Sequence, residues 1–355
     1  MLSDHVAFSN AVMTDPPQGS AFKLFLAGSL SWMDPPRHGR LRAVLSRFFA
    51  PRYVAGLEPM IASTVEEFLE KIRSRDRVEF IGEFAAPIIS TVMGRMVGVP
   101  PRGQELFRQW SMDLFSLVDP GTTSNRLPTV AASTRLIDAY LHEYITRRRR
   151  QASREDLVGG LLAAEADGEQ LTDDEIVGMI GFLLSSGQGA TLTLGNAVIC
   201  LDQHPAAAVR LRADPGLLQP GIDEVMRYRS QTTRIARRTV RDVAIAGHVI
   251  PAGQDVTVWL AAANRDRRKF ERPDSFEIDR SPETHLALGY GIHYCLGAAL
   301  TRLEISIALG RLLAQTSGFS VDYAASRLLD PRMIFGASEL SFMADWEAGA
   351  PAHAR

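Results

Sequence analysis

Cysteine is nearly missing from this chain: two residues, Cys200 and Cys295, occur among 355. A pair so sparse and so far apart excludes a disulfide framework or a zinc-ligand spacing, and fits a reducing compartment. Lysine is scarce too, with Lys23, Lys71 and Lys269 the only three among 39 basic residues. We read that as codon bias rather than chemistry. Net charge is lacking as well, at -2, which argues against a nucleic-acid or membrane-surface protein. No apolar run reads as long enough to span a bilayer, and no signal peptide, repeat or low-complexity linker is visible. The expectation is a cytoplasmic globular chain with a sizeable core and a single domain over 1–355.

What is present is concentrated between Leu286 and Glu304. Cys295 lies among glycines there, and Ala299, Leu300, Leu303 and Ile307 follow at helical spacing, so the cysteine sits at or just before a helix start. N–H groups at a helix start lack intrahelical partners and carry positive partial charge, which favours a thiolate. Gly289, Gly291 and Gly297 allow a tight, closely approached backbone. A thiolate held this way suits a protein nucleophile or the axial ligand of a haem iron. An inert buried cysteine in a Gly-rich turn is the plainer alternative.

The run Gly289-x-Gly291-x-His293-x-Cys295-x-Gly297 resembles the haem-ligand loop of the cytochromes P-450, the cysteine-liganded haem monooxygenases. The resemblance extends along the chain in ordered motifs, from Met1 to about Trp346. It implies a mainly α fold with small β-sheets, haem b with Cys295 as axial ligand, and electrons from NAD(P)H through a ferredoxin and ferredoxin reductase. One departure is Leu288, where the family usually has Phe. The family's first helix and opening strands would normally precede a segment like Met1–Ser9, so the start reads as short.

Asp34-Pro-Pro opens a helix carrying His38 and Arg42 four residues apart, hence on one face. Alone, this is a solvated basic face; by the resemblance the two grip a haem propionate. Arg37 and Arg40 on the same helix become candidates for docking an acidic redox partner. Arg237, five residues before Asp242, matches a third propionate position, with Arg238 as fallback, and His293 should reach the remaining propionate. Gly297 belongs to the same cradle. Thr232, Thr233, Ile235, Met333 and Ile334 would face the substrate.

Thr172 and Glu175 form a helix-start signal before a long apolar helix that contains Gly187 and Gly189. Interior glycines cost about 1 kcal/mol each relative to Ala, so the helix should be bent or widened there. In the family this segment is Gly-x-acid-Thr, and the acid–alcohol pair helps deliver protons for O–O cleavage. Here Gly187 matches, but Gly189 replaces the acid and Ala190 the threonine. Ser186, Gly187, Ala190 and Thr191 are therefore the expected oxygen site. Ser186, on the face of Ala190, could hold a water; a substrate hydroxyl could replace the pair; or the reaction needs no ordinary oxygen insertion, as in coupling, cyclisation or desaturation.

Glu224 and Arg227, one turn apart, read alone as a surface pair. By resemblance they form a buried network with Arg280 that holds the thiolate loop's scaffold. Arg147 to Arg150 read as a solvated helix end suited to the dipole. The function these features imply is oxidative tailoring of a small molecule in bacterial secondary metabolism. A haem-binding protein without turnover, acting in partner recruitment or sensing, is the alternative; a cysteine hydrolase would need a base beside Cys295.

Overall fold

The structure, a computed structural model, describes residues 1–11, 27–99, 103–118, 127–151, 156–166, 169–280, 284–332 and 334–347. Helices dominate and strands form small sheets, as the resemblance implies. The principal helices are α1 (Arg37–Ser46), α2 (Glu58–Ile72), α3 (Ala86–Val97), α4 (Gln104–Val118), α5 (Leu127–Arg149), α6 (Asp173–Ser186), α7 (Gln188–Gln203), α8 (Leu218–Tyr228) and α9 (Ala298–Gln315).

The centre of the molecule is the pair α6–α7. Its start is the expected reciprocal cap: the Thr172 hydroxyl accepts from Glu175 N–H at 3.2 Å, and the Glu175 carboxylate accepts from Thr172 N–H at 3.1 Å. The two helices are joined at Gly187, where the ladder tightens and Ala190 N–H bonds Gly187 C=O at 3.1 Å. The expected distortion is therefore a junction between helices. By length and composition the run Asp173–Gln203 could cross a membrane, contrary to the expectation that no segment could. Its apolar residues point all round because 78% of that window is buried in protein. Helices α3, α4 and α9 surround it.

Helix α3 contains Gly94 and ends at Gly98 with φ 85°. One other expectation is corrected here. The arginine run closing α5 is not simply solvated. Arg148 is buried, donating to Tyr144 Oη and to Asp156 at 2.8 Å each, and Asp156 in turn caps the helix Leu157–Leu162.

Strand β1 (Phe8–Ser9) pairs antiparallel with β5 (Ile235–Thr239), which pairs with β8 (Asp255–Val258). Within β5, Arg237 and Thr239 turn inward and Arg238 outward, because successive side chains of a strand face opposite sides. A long hairpin, Thr316–Leu328 with Ala337–Trp346, closes the chain and takes Val78–Glu79 on its free edge.

Candidate functional site

A cavity of about 560 Å³ lies between α6–α7, β5 and the loop that leads into α9. Cys295 stands on its wall. The loop is folded back so that Cys295 N–H bonds Leu288 C=O at 2.8 Å, with Gly289 at φ 74° and Gly291 at φ 75°. Gly291 has a second reason to be glycine: a Cβ there would stand 2.7 Å from Leu2 C=O. Gly297 is the residue before α9, so Cys295 precedes the helix start as expected. The thiol itself behaves differently from the expectation. Burial pushes it above its ordinary value, opposed by the Gly297 N–H and the charges of Arg42 and Arg302. Desolvation outweighs the helix start, so the anion needs a further positive partner.

Arg42, Arg237 and His293 stand on the same wall, and His38 packs against His293 from outside it. His38 is 1% exposed, and its ring centroid lies 4.2 Å from that of His293. Burial first, then Arg42, pulls His38 down to about 4; burial, His38 and Arg237 do the same to His293. Both rings are neutral at neutral pH, and the Nε2 atom of each is buried without a partner. Arg42 donates to Tyr294 C=O at 2.6 Å and Arg237 to Ala236 C=O at 2.7 Å. Among the described residues neither guanidinium has an ion-pair partner. Arg238, the fallback, is turned out to solvent and bound to Asp255 at 2.8 Å. Arg40 is also engaged, with Glu175.

Around the rest of the wall stand Ser186, Gly187, Gly189 and Ala190 from the α6–α7 junction, and Thr232 and Ile235 from the approach to β5. Besides His38, three expected residues are not on it. Thr191, one position past Ala190 and so rotated by about 100°, is buried with its hydroxyl unpartnered. Thr233 is buried against Leu260–Ala263, its carbonyl accepting from Ala261 N–H at 3.1 Å. Ile334 is absent from the wall, and its backbone bridges Thr232, which is on it. Met333 lies outside the described residues.

Below the cavity the charged network is buried as expected. Glu224 receives Arg227 at 2.7 and 2.8 Å, Arg280 at 3.2 Å and the Glu277 N–H at 3.0 Å. Arg227 also donates to the carbonyls of Asn264, Pro273 and Ser275. The Asn264 side chain accepts from Leu286 N–H at 2.6 Å, which ties the network to the cysteine loop.

The cytochrome P450 family model matches residues 4–327. The chain belongs to that family. It is 37% identical over 329 residues to cyclomarin C epoxidase of Salinispora arenicola, covering 90% of this chain and 83% of that protein. Among solved structures it is similar to HmtN, a post-tailoring hydroxylase of himastatin biosynthesis (TM-score 0.84, 34% identity, 97% of this chain and 88% of that one). It is also similar to P450BioI, solved with an acyl carrier protein bearing hexadec-9Z-enoic acid (TM-score 0.90, 29% identity, 97% and 89%). The protein is thus an oxidoreductase of the monooxygenase type.

The residues present fit the family's haem. Two buried imidazole Nε2 atoms without partners and two guanidiniums without acids suit a pair of propionates. Cys295 faces the same space, and a coordinating iron deprotonates a thiol outright. Arg42, which the α1 spacing singled out, also bears on Cys295 electrostatically. Three wall residues escaped the sequence reading. Asn10, brought in by β1, lies 3.4 Å from His293 Nδ1. Gln231 is buried on the wall with its Oε1 unpartnered. Glu304 had a visible signal: an acid four residues after Leu300, on the stripe that α9 buries.

Proposed function

We propose that this P450 tailors a small-molecule intermediate of bacterial secondary metabolism by oxidation, with electrons from NAD(P)H passed on by a ferredoxin and its reductase. The observation that carries the reading is Cys295 on a cavity wall shared with Arg42, Arg237 and His293, groups without acidic partners among the described residues, with His38 packed against His293. Haem bound there supplies reductive activation of dioxygen. Placing one oxygen atom in a substrate and releasing the other as water takes two electrons from NAD(P)H and one proton beyond the one it carries. The chain's part is to hold and orient. His38 and His293 offer N–H donors, Arg42 and Arg237 charge, and Thr232, Ile235 and the aromatic and aliphatic wall exclude water from the substrate.

The proton path is the unusual part. Gly189 and Ala190 carry neither acid nor alcohol; of the two serines that this helix sets on the cavity wall, Ser185 already donates to Phe182 C=O at 2.9 Å, which leaves Ser186 as the candidate hydroxyl. Relatives named as an epoxidase and a hydroxylase support tailoring chemistry without naming a substrate for this chain. The test is a spectral binding screen of peptide and macrolide natural-product precursors against the haem-loaded protein. Hits are then incubated with NADPH and a surrogate ferredoxin pair. An NADPH-dependent product supports the reading; a haem-loaded protein that binds precursors and turns none over supports the non-catalytic alternative.

A further inference from the structure

Two polar side chains are buried where α4 crosses the α6–α7 junction. Ser111 of α4 is 3% exposed and Gln188 of α7 is 5% exposed, and neither is on the cavity wall. Burying a hydroxyl and a carboxamide is costly unless both are bonded. Ser111 is bonded twice: its hydroxyl donates to Leu184 C=O at 2.7 Å and accepts from Gln188 Nε2 at 3.0 Å. Leu184 and Gln188 are four apart, so one side chain grips both ends of a single helical turn. The three residues between them, Ser185, Ser186 and Gly187, are all on the cavity wall.

That turn is intrinsically weak. Gly187 and Gly189 flank Gln188, and glycine in a helix interior is destabilising relative to alanine. Packing forces neither glycine. A Cβ at Gly187 would make ordinary contacts, the nearest at 3.5 Å, and one at Gly189 would meet nothing within 4 Å. The hydroxyls of Ser185 and Thr193 bond carbonyls of their own helices, those of Phe182 and Gly189. Ser111 reaches the turn from a different helix, and so fixes its place against α4.

We propose that Ser111 and Gln188 are positioning residues of the oxygen site, a clamp behind the junction that holds Ser186 in one place on the cavity wall. The inference rests on the haem reading above, which makes this stretch of wall the oxygen side. A pair kept for stability alone would be replaceable with no effect beyond a lower melting temperature.

The test binds carbon monoxide to the reduced, haem-loaded protein and records the infrared C–O stretch, which reads the groups around the bound gas. The parent should give one narrow band. Ser111→Ala should split it or broaden it about twofold, because positioning on the scale of ~1 Å is lost. Gln188→Leu should do the same, and the double variant should go no further than either, since the two act as a unit. Ser133→Ala is the control: it removes a hydroxyl bond between α5 and α4, to Asp113 at 2.6 Å, and none at the junction. It should lower the melting temperature and leave the band unchanged. Amide hydrogen exchange over 183–190 should quicken roughly fivefold in Ser111→Ala, as for the loss of one buried hydrogen bond. The proposal is overturned if Ser111→Ala keeps the parent band, if Ser133→Ala broadens it equally, if the two single effects add in the double variant, or if the exchange is unchanged. A parent without a thiolate-type carbon monoxide spectrum would sink the haem reading instead, on which the exchange measurement does not depend.

Discussion

Glu224→Gln tests the scaffold beneath the cysteine loop. The carboxylate takes four hydrogen bonds from two guanidiniums and a fifth from the Glu277 N–H. The amide keeps the shape but sets an NH₂ against a guanidinium and leaves Arg227, 2% exposed, without a counter-charge. Breaking a buried pair from one side costs roughly 3–5 kcal/mol. Arg227 still has three backbone carbonyls, and Arg280 keeps those of Glu271, Arg272 and Ser275. The loss should therefore fall near the lower end, about 3 kcal/mol, seen as a melting point lower by roughly 5 °C or more. Because Asn264 links Arg227 to Leu286, the same variant should release haem faster to an acceptor apoprotein. Urea and thermal unfolding, with and without haem, give both numbers. A variant that melts within about 1 °C of the parent, less than a loss of ~1 kcal/mol would give, and holds haem as long would refute the reasoning.

Glu304 also predicts a pH dependence of stability. Its folded value of about 8 lies above the ordinary 4.5, so the folded state binds more protons between the two, and its contribution falls as pH rises across that window. Glu304→Gln should therefore gain on the parent by roughly 3–5 kcal/mol between about pH 4.5 and 8, measured by urea unfolding. Arg237→Leu should weaken haem retention about tenfold or more, whereas Arg238→Leu, which removes only an exposed pair with Asp255, should leave it unchanged. Gly291→Ala combines a positive φ with a Cβ crowding Leu2 C=O, and should cost about 1–3 kcal/mol in thermal unfolding.

The cysteine loop was legible because its glycines answer to local backbone needs that spacing alone reveals. His38, Arg42 and Arg237 were legible through the family resemblance; helix spacing alone puts His38 and Arg42 on one face, which by itself reads as a solvated basic surface. What the chain order hid was set by tertiary contact. Arg148 looks like one of four equivalent cations, and only the return of Asp156 buries it. Asn10 reaches His293 across 283 positions through the pairing of β1 with β5. Thr191 and Ala190 differ by one step of a helix, which is enough to take the hydroxyl off the wall. The run Asp173–Gln203 could not be told from a membrane span by composition, because burial in protein and in lipid select the same residues.

The central claim is that the Cys295 thiolate holds the haem iron. Its most direct measurement is the reduced, carbon monoxide-treated spectrum of the hemin-loaded protein beside that of Cys295→His. The parent should show a Soret band shifted far to the red and the variant should lose that shift while still binding porphyrin through His38, Arg42, Arg237 and His293. A parent spectrum without the shift, or a variant spectrum that keeps it, contradicts the account.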